Sequence, residues 1–171
     1  MASDEELFEQ TLQAWTYARE GAIAEFENIP ADRYEFKPSP ASRSVAELAQ
    51  HIIESGLMAA GELSRPDGDF TRQDYVDFIH EYAGGRASAR DKSTLVSTLR
   101  RAHDEALTKL RGAGAARLLT PIMQFNGTPA PRLIWLHHAI AHEEYHRGQA
   151  ALYARLLGLV PALTKLIQGQ D

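Results

Sequence analysis

The sequence contains no cysteine. A disulfide framework, a metal site built from thiolates and a cysteine nucleophile are therefore excluded. If the protein binds a metal ion, nitrogen and oxygen ligands must bind it.

An excess of positive charge is also missing. The 18 lysines and arginines are outnumbered by 23 aspartates and glutamates, so the net charge is −5 and the pI is near 5.8. This charge gives no electrostatic reason to expect binding to a phosphate backbone or to an anionic membrane. We therefore expect neither nucleic acid nor a membrane as a partner.

Long apolar runs are absent as well. No segment approaches the roughly eighteen unbroken apolar residues of a transmembrane helix. The first ten residues, MASDEELFEQ, are acidic and lack the basic start and apolar run of a signal peptide. We therefore expect a cytoplasmic protein.

Hydrophobic residues recur with a period near 3.6 over most of the chain, which indicates helices rather than a sheet. The first two long helices should begin at capping boxes, in which a serine is followed three residues later by a glutamate: Ser3 with Glu6, and Ser44 with Glu47. The four long helices are predicted over 4–28, 44–63, 93–110 and 131–158. Shorter helical stretches near 71–82 and 162–167 and an extended piece near 117–125 lie in the connections.

The size of the chain agrees with one domain. Its 171 residues, 44% of them hydrophobic, are enough to enclose a core. We predict a single domain over residues 1–171 with an all-α fold. The architecture expected is a four-helix bundle with long crossover connections.

The helix predicted over 131–158 carries four of the seven histidines. His142 and His146 are four residues apart, so they share one face and lie roughly 6 Å apart along the axis. This is the spacing at which one helix chelates one metal ion. His138 and His142 have the same spacing, and His138 and His146 are too far apart, at about 12 Å, to bind one ion together. Spacing alone does not decide between the two pairs.

A further nitrogen ligand could come from another helix. His51 lies in the middle of the second helix and shares a direction with Leu48 and Met58, so it should face inward. A pair on one helix and a single histidine on a facing helix is a natural way to build a three-nitrogen site in a bundle core. His103 on the third helix should also face inward, and we interpret it as a structural group or a support for the site.

The letters HEEYHRGQ, which begin at His142, are similar to a signature of the DinB/YfiT-like superfamily of bacterial four-helix-bundle proteins. In that signature two histidines separated by three residues are followed by Arg-Gly-Gln. The segments FKP at 36–38 and SVAEL at 44–48 resemble the region that leads to the family's remaining histidine, here His51. The resemblance covers almost the whole chain, and it implies that His51, His142 and His146 bind a divalent metal ion, usually zinc or nickel.

The functions of this superfamily are less uniform than its fold. Its members resemble DNA-damage-inducible proteins, metal-dependent hydrolases, or transferases and isomerases that use small thiols such as bacillithiol or mycothiol. The resemblance therefore implies a metal-dependent hydrolase or a small-thiol-dependent S-transferase. The expected partners are a small-molecule substrate and, for a transferase, a low-molecular-weight thiol. Similarity of fold does not choose between these activities.

Three neutral imidazoles would leave a divalent ion with its full charge and with at least one open coordination position, as in catalytic zinc sites. An ion of this kind lowers the pKa of a water molecule or a thiol at that position. A nearby carboxylate could orient an imidazole or accept a proton. Glu54 and Glu47 flank His51 on the helical wheel, and Glu54 is our candidate for the base.

Two other functions remain as hypotheses. The letters HEEYH match H-E-x-x-H, the metalloprotease motif in which Glu143 would be the general base, although no histidine or glutamate follows His146 as a downstream ligand. The other hypothesis is a non-catalytic, metal-binding or dimerising bundle protein of the stress response. Leu133, Leu136 and Ile140 lie on the side of the helix away from the ligands, where they would face another layer of the bundle or the partner in a homodimer.

Overall fold

Helices form the frame of the molecule in the computed structural model, which describes residues 2–86 and 88–169. The helices are α1 (Asp4–Asn28), α2 (Val45–Ser64), α3 (Tyr75–Ala83), α4 (Lys92–Ala113), α5 (Ala115–Leu118), α6 (Arg132–Leu156) and α7 (Ala162–Gln168). The strands β1 (Pro121–Met123) and β2 (Pro129–Pro131) pair antiparallel, with Ile122 opposite Ala130. The all-α fold predicted from the sequence is confirmed.

Local hydrogen bonds explain where the first two helices begin. The Ser3 hydroxyl accepts a bond from the backbone nitrogen of Glu6, and the Glu6 carboxylate accepts one from the backbone nitrogen of Ser3. Ser44 and Glu47 repeat the arrangement at the start of α2. Both predicted capping boxes are therefore confirmed.

The four long helices close into a ring. Helix α1 packs against α4 and α6, and α2 packs against the same two helices on the other side. The core between them contains large side chains with essentially no exposure, such as Trp15, Phe26, Leu57 and Leu99. The bundle thus places the middle of α2 directly against α6, where four of the histidines lie.

Both long crossover connections contain secondary structure. Helix α3 lies in the connection between α2 and α4, and it packs against α2. The extended piece expected near 117–125 is the first half of a β-hairpin, and it follows the short helix α5. The hairpin turns at Gly127, whose φ of +76° is a left-handed conformation that glycine adopts without steric cost.

The apolar residues on the far side of α6 pack inside the bundle. Leu136 is fully buried, and Leu133 and Ile140 are partly buried against the same core cluster. The sequence left two environments open for these residues, another layer of the bundle or the partner in a homodimer, and the structure places them against the core of the bundle. No helix in the described part of the chain has both the length and the hydropathy needed to cross a lipid bilayer.

Candidate metal centre

Three histidine rings meet between α2 and α6. Nε2 of His142 lies 3.1 Å from Nε2 of His51 and 2.9 Å from Nε2 of His146. The candidate ligand atoms of the three residues all lie within 4.8 Å of one another. His138, the other candidate partner of His142, is outside this group, and its exposed ring packs against Trp135 with centroids 5.3 Å apart. The structure therefore brings together the pair favoured by the family resemblance and the histidine of α2.

The separations of these nitrogens suit one shared ion. Two nitrogens that each lie about 2.1 Å from zinc at a tetrahedral angle are about 3.4 Å apart. The observed distances of 2.9 and 3.1 Å are within a few tenths of an ångström of that value. The three rings thus fit a metal ion without movement of either helix.

Burial keeps the three rings neutral, which is the form that binds a metal. It is the main reason that the pKa of His51 falls to about 3 and that of His142 to about 4. Burial also lowers the pKa of His146 below its ordinary value. The positive charge of Arg43 lowers the pKa of all three in addition. At neutral pH each ring therefore has a lone pair to offer.

Gln149 holds the ring of His146 in place. Its Oε1 lies 2.8 Å from Nδ1 of His146. Because an amide oxygen only accepts hydrogen bonds, Nδ1 must donate, and this leaves the lone pair on Nε2. Gln149 thus contacts the ring nitrogen of His146 that points away from the cluster, and a contact of this kind tunes a metal ligand.

The carboxylate of Glu143 is held inside the protein. Glu143 is 2% exposed, and it forms a salt bridge with the buried guanidinium of Arg19 and accepts a 2.6 Å hydrogen bond from Nε1 of Trp15. Arg19 also donates to the carbonyl oxygen of Leu99, so the group joins α1, α4 and α6. A carboxylate held by two donors is poorly placed to take a proton from a substrate, and this argues against the metalloprotease hypothesis.

The two glutamates proposed near His51 have different surroundings. Glu47 accepts bonds from Lys37, at 2.8 Å, and from the backbone of Ser44, and these bonds lower the pKa of Glu47 to about 2. Burial instead raises the pKa of Glu54, against the opposing charges of Arg43 and His80. Among the described residues, no donor lies within hydrogen-bond distance of the Glu54 carboxylate. Of the two carboxylates, that of Glu54 is thus the more basic.

Comparison with known proteins identifies the family and the fold of the chain. A family model described as the DinB superfamily matches residues 14–150. The chain belongs to the DinB superfamily. The chain is similar to the crystal structures of two DinB-like proteins, at 21% identity in each case. One, from Bacillus subtilis, has a TM-score of 0.66, and the match covers 87% of this chain and 92% of that one. The other, from Bacillus cereus, has a TM-score of 0.68, with coverage of 90% and 94%.

The family resemblance predicted from the signature is thereby confirmed, and the DinB-like structures confirm the fold. A search of proteins with curated functions finds no match. At this level of identity the structural likeness establishes the DinB fold and no activity.

The arginine of the DinB signature has a packing role. Arg147 is largely buried and lies across Gly21 of α1, where a Cβ atom would overlap its guanidinium group. The same group pairs with Glu144 at 3.2 Å and lies over the ring of Tyr17 at 5.5 Å. The structure thus gives Arg147 a structural role in the packing of α6 against α1.

A cavity of about 290 Å³ adjoins the histidines. His142 forms part of its wall, and most of the remaining surface is apolar. Its aromatic residues are Phe70, Tyr75, Phe125 and Trp135. They come from the connection after α2, from α3, from the hairpin and from α6, so no periodic pattern in the sequence could have identified them.

Proposed function

We propose that this member of the DinB superfamily is a divalent-metal-dependent enzyme that acts on a small molecule. His51, His142 and His146 would bind the ion, zinc or nickel. The main support is the convergence of three neutral Nε2 atoms from two helices at separations that one ion spans. Three protein ligands leave at least one coordination position for a reactant.

The neighbouring cavity favours a catalytic role over a purely structural one. A structural metal site is closed by protein ligands and needs no access for a reactant. Here the cavity reaches His142 itself, and its volume of about 290 Å³ is close to that of a small ligand pocket. A small molecule in the cavity would lie next to the open position.

Two reactions agree with the same site: hydrolysis, and transfer to a low-molecular-weight thiol. A divalent ion supplies either one by lowering the pKa of water or of a thiol. Glu54 would accept the proton released, because burial raises the pKa of its carboxyl group towards the range useful for a base. A cytoplasmic location and a homodimer stay proposals from the sequence.

The metal site is tested by elemental analysis of protein purified without an affinity tag. We expect one equivalent of metal in the wild type and a large loss in His51→Ala and in His142→Ala. His137→Ala is the matched control, since His137 is an exposed histidine on α6 outside the cluster. Stoichiometric metal in both of the first two variants would reject the site.

The reaction class is tested with metal-loaded protein, an electrophilic substrate and a panel of small thiols. A rate that depends on one thiol supports transfer, and turnover without a thiol supports hydrolysis. In either case Glu54→Gln should lower kcat, whereas Glu144→Gln should not, because Glu144 pairs with Arg147 and belongs neither to the histidine group nor to the cavity wall. A protein that holds its metal but shows neither activity would support the non-catalytic hypothesis.

A further inference from the structure

The outer side of α6 keeps large apolar side chains in contact with solvent. Ile134, Tyr145, Leu152 and Leu156 are between 46% and 64% exposed, and all four lie within about 40° of one another around the helix axis. Their direction is opposite to that of Leu136, which is fully buried in the core. Single exposed apolar residues are common in soluble proteins, whereas a continuous row of them marks an interaction surface.

A row of exposed residues on this side, the α6 seam, has the spacing of a helix–helix contact. Steps of four and three residues alternate along it, as they do in a coiled coil. Although 24% of the chain consists of charged residues, the seam contains no aspartate, glutamate, lysine or arginine. Such a depletion of charge is typical of the centre of a protein–protein interface. The members of the seam are Ile134, His138, Ala141, Tyr145, Gly148 and Leu152.

The α6 seam is complementary in size to itself. A twofold axis at the level of residue 143 would place a second α6 antiparallel to the first, and each seam residue would face the residue equally far from the axis on the other copy. Tyr145 would then face Ala141 of the second copy, and His138 would face Gly148. At the ends of the seam an isoleucine would face a leucine. Each large ring thus meets a small residue, and the aliphatic side chains meet each other.

The α1 side of α6 provides apolar surface at both ends of the helix. At the N-terminal end, Leu7 and Leu119 are more than half exposed and line a groove between α1, α5 and α6. At the C-terminal end, Leu163 of α7 lines a second groove, which α1 and α6 also border. Leu166 and Ile167 follow on the same face of α7 and are 77% and 76% exposed. Because the twofold axis exchanges the two ends of α6, it would bring α7 of each copy to the first groove of the other.

The size of this face agrees with a dimer if α7 takes part. A stable interface buries about 800 Å² on each partner, roughly a tenth of the surface of a small protein. Helix α6 has 25 residues, so it is about 37 Å long and, at a width of about 11 Å, it offers about 400 Å². The apolar surface of α7 and of the groove that it would cover is therefore needed for the other half.

We propose that the protein forms a twofold-symmetric homodimer, in which the α6 seam packs against the same seam of a second copy and α7 covers the groove at Leu7 and Leu119. His138 belongs both to the seam and to the wall of the cavity beside the histidines, so the interface borders the candidate metal centre. The inference rests on the homodimer in the proposed function and names its surface, but it requires neither a bound metal nor an enzymatic activity.

The test is sedimentation equilibrium of the full chain at several concentrations. The wild type should have twice the 19.0 kDa mass of the chain. Ile134→Lys and Leu152→Glu, made singly, should each raise the dissociation constant at least about 100-fold, because each places an unpaired charge in the seam twice per dimer. Val76→Glu is the matched control, because Val76 is 60% exposed on α3, outside the seam and α7.

The double variant Ile134→Lys with Leu152→Glu tests the register of the seam. The two positions are about 27 Å apart in one helix, so the new charges cannot pair within a copy. Across the twofold axis they would lie opposite one another, and the double variant should dimerise at least about tenfold more tightly than either single variant. Ile167→Glu tests α7 and should weaken the dimer at least about tenfold.

A monomeric wild type at millimolar concentration, an undiminished dimer in Leu152→Glu or Ile167→Glu, or a double variant no tighter than the single variants would each overturn the proposal. Circular dichroism should show that the variants stay folded, because the substituted side chains are exposed. Metal content is measured on the same samples. If the wild type dimerises as described but holds no metal, the interface stands and the metal-dependent function fails. If a monomer holds the metal, the metal site stands and the dimer is wrong.

Discussion

The substitution Glu143→Gln separates a structural role of this glutamate from a catalytic one. In the structure the carboxylate of Glu143 neutralises Arg19, which is 1% exposed, and accepts a hydrogen bond from Trp15. Glutamine has nearly the same shape and can still accept the bond from Trp15. It cannot balance the charge of Arg19, so the variant leaves a buried guanidinium without its counter-ion.

The expected cost follows from that buried charge. Loss of one partner of a buried ion pair typically destabilises a protein by about 3 to 5 kcal/mol. For a chain of this length, such a loss lowers the Tm by about 10 °C. The double variant Arg19→Met with Glu143→Gln should lose less than the sum of the two single variants, because the unpaired charge is then absent.

The assay is urea unfolding, followed by circular dichroism, together with elemental analysis of the same samples. Glu144→Gln is the matched control, because Glu144 is the next residue of α6 and its partly exposed ion pair with Arg147 should contribute at most about 1 kcal/mol. Metal content should remain at the wild-type level in both variants, since neither residue belongs to the histidine group.

A stable Glu143→Gln variant would refute this explanation. The metalloprotease hypothesis predicts that the variant unfolds with the same urea midpoint as the wild type and loses peptidase activity. Destabilisation with retained metal would instead show that the glutamate of H-E-x-x-H serves the fold of this chain.

Three further predictions concern other positions. Burial, aided by nearby arginines, lowers the pKa of His103 to about 3, so that on acidification the histidine is protonated in the unfolded state before it is protonated in the folded state. The free energy of unfolding should therefore fall from pH 7 to pH 4.5. In urea titrations, His103→Gln should reduce this fall by about 2.5 kcal/mol. Gln149→Leu should weaken zinc binding about 10- to 100-fold in competition with a chelator, without a matching loss of stability. In thermal denaturation, Gly148→Ala should raise the Tm, because a Cβ there meets open space on a helix, whereas Gly61→Ala should lower it, because a Cβ there overlaps the ring of Tyr82.

Features that depend on neighbours in the chain could be predicted from the sequence. Helix α1 has the range 4–28 expected from its capping box and hydrophobic period, and α2 ends within a residue of the prediction. The common face of His142 and His146 is a property of any helix, since it needs only a spacing of four residues. Even so, the family resemblance, and not the spacing, favoured this pair over His138 and His142.

The surroundings of the site depend on the packing of the whole bundle. His51 and His142 are 91 residues apart, and they meet only because α2 packs against α6. Glu143 belongs to a motif that suggests catalysis, yet the residues that occupy its carboxylate, Arg19 and Trp15, are more than a hundred residues away. Helical periodicity determines the direction of a side chain, but the partner it meets is decided by which helices become neighbours. The sequence therefore determined the helices and the candidate ligands, and the tertiary structure decided which side chains surround them.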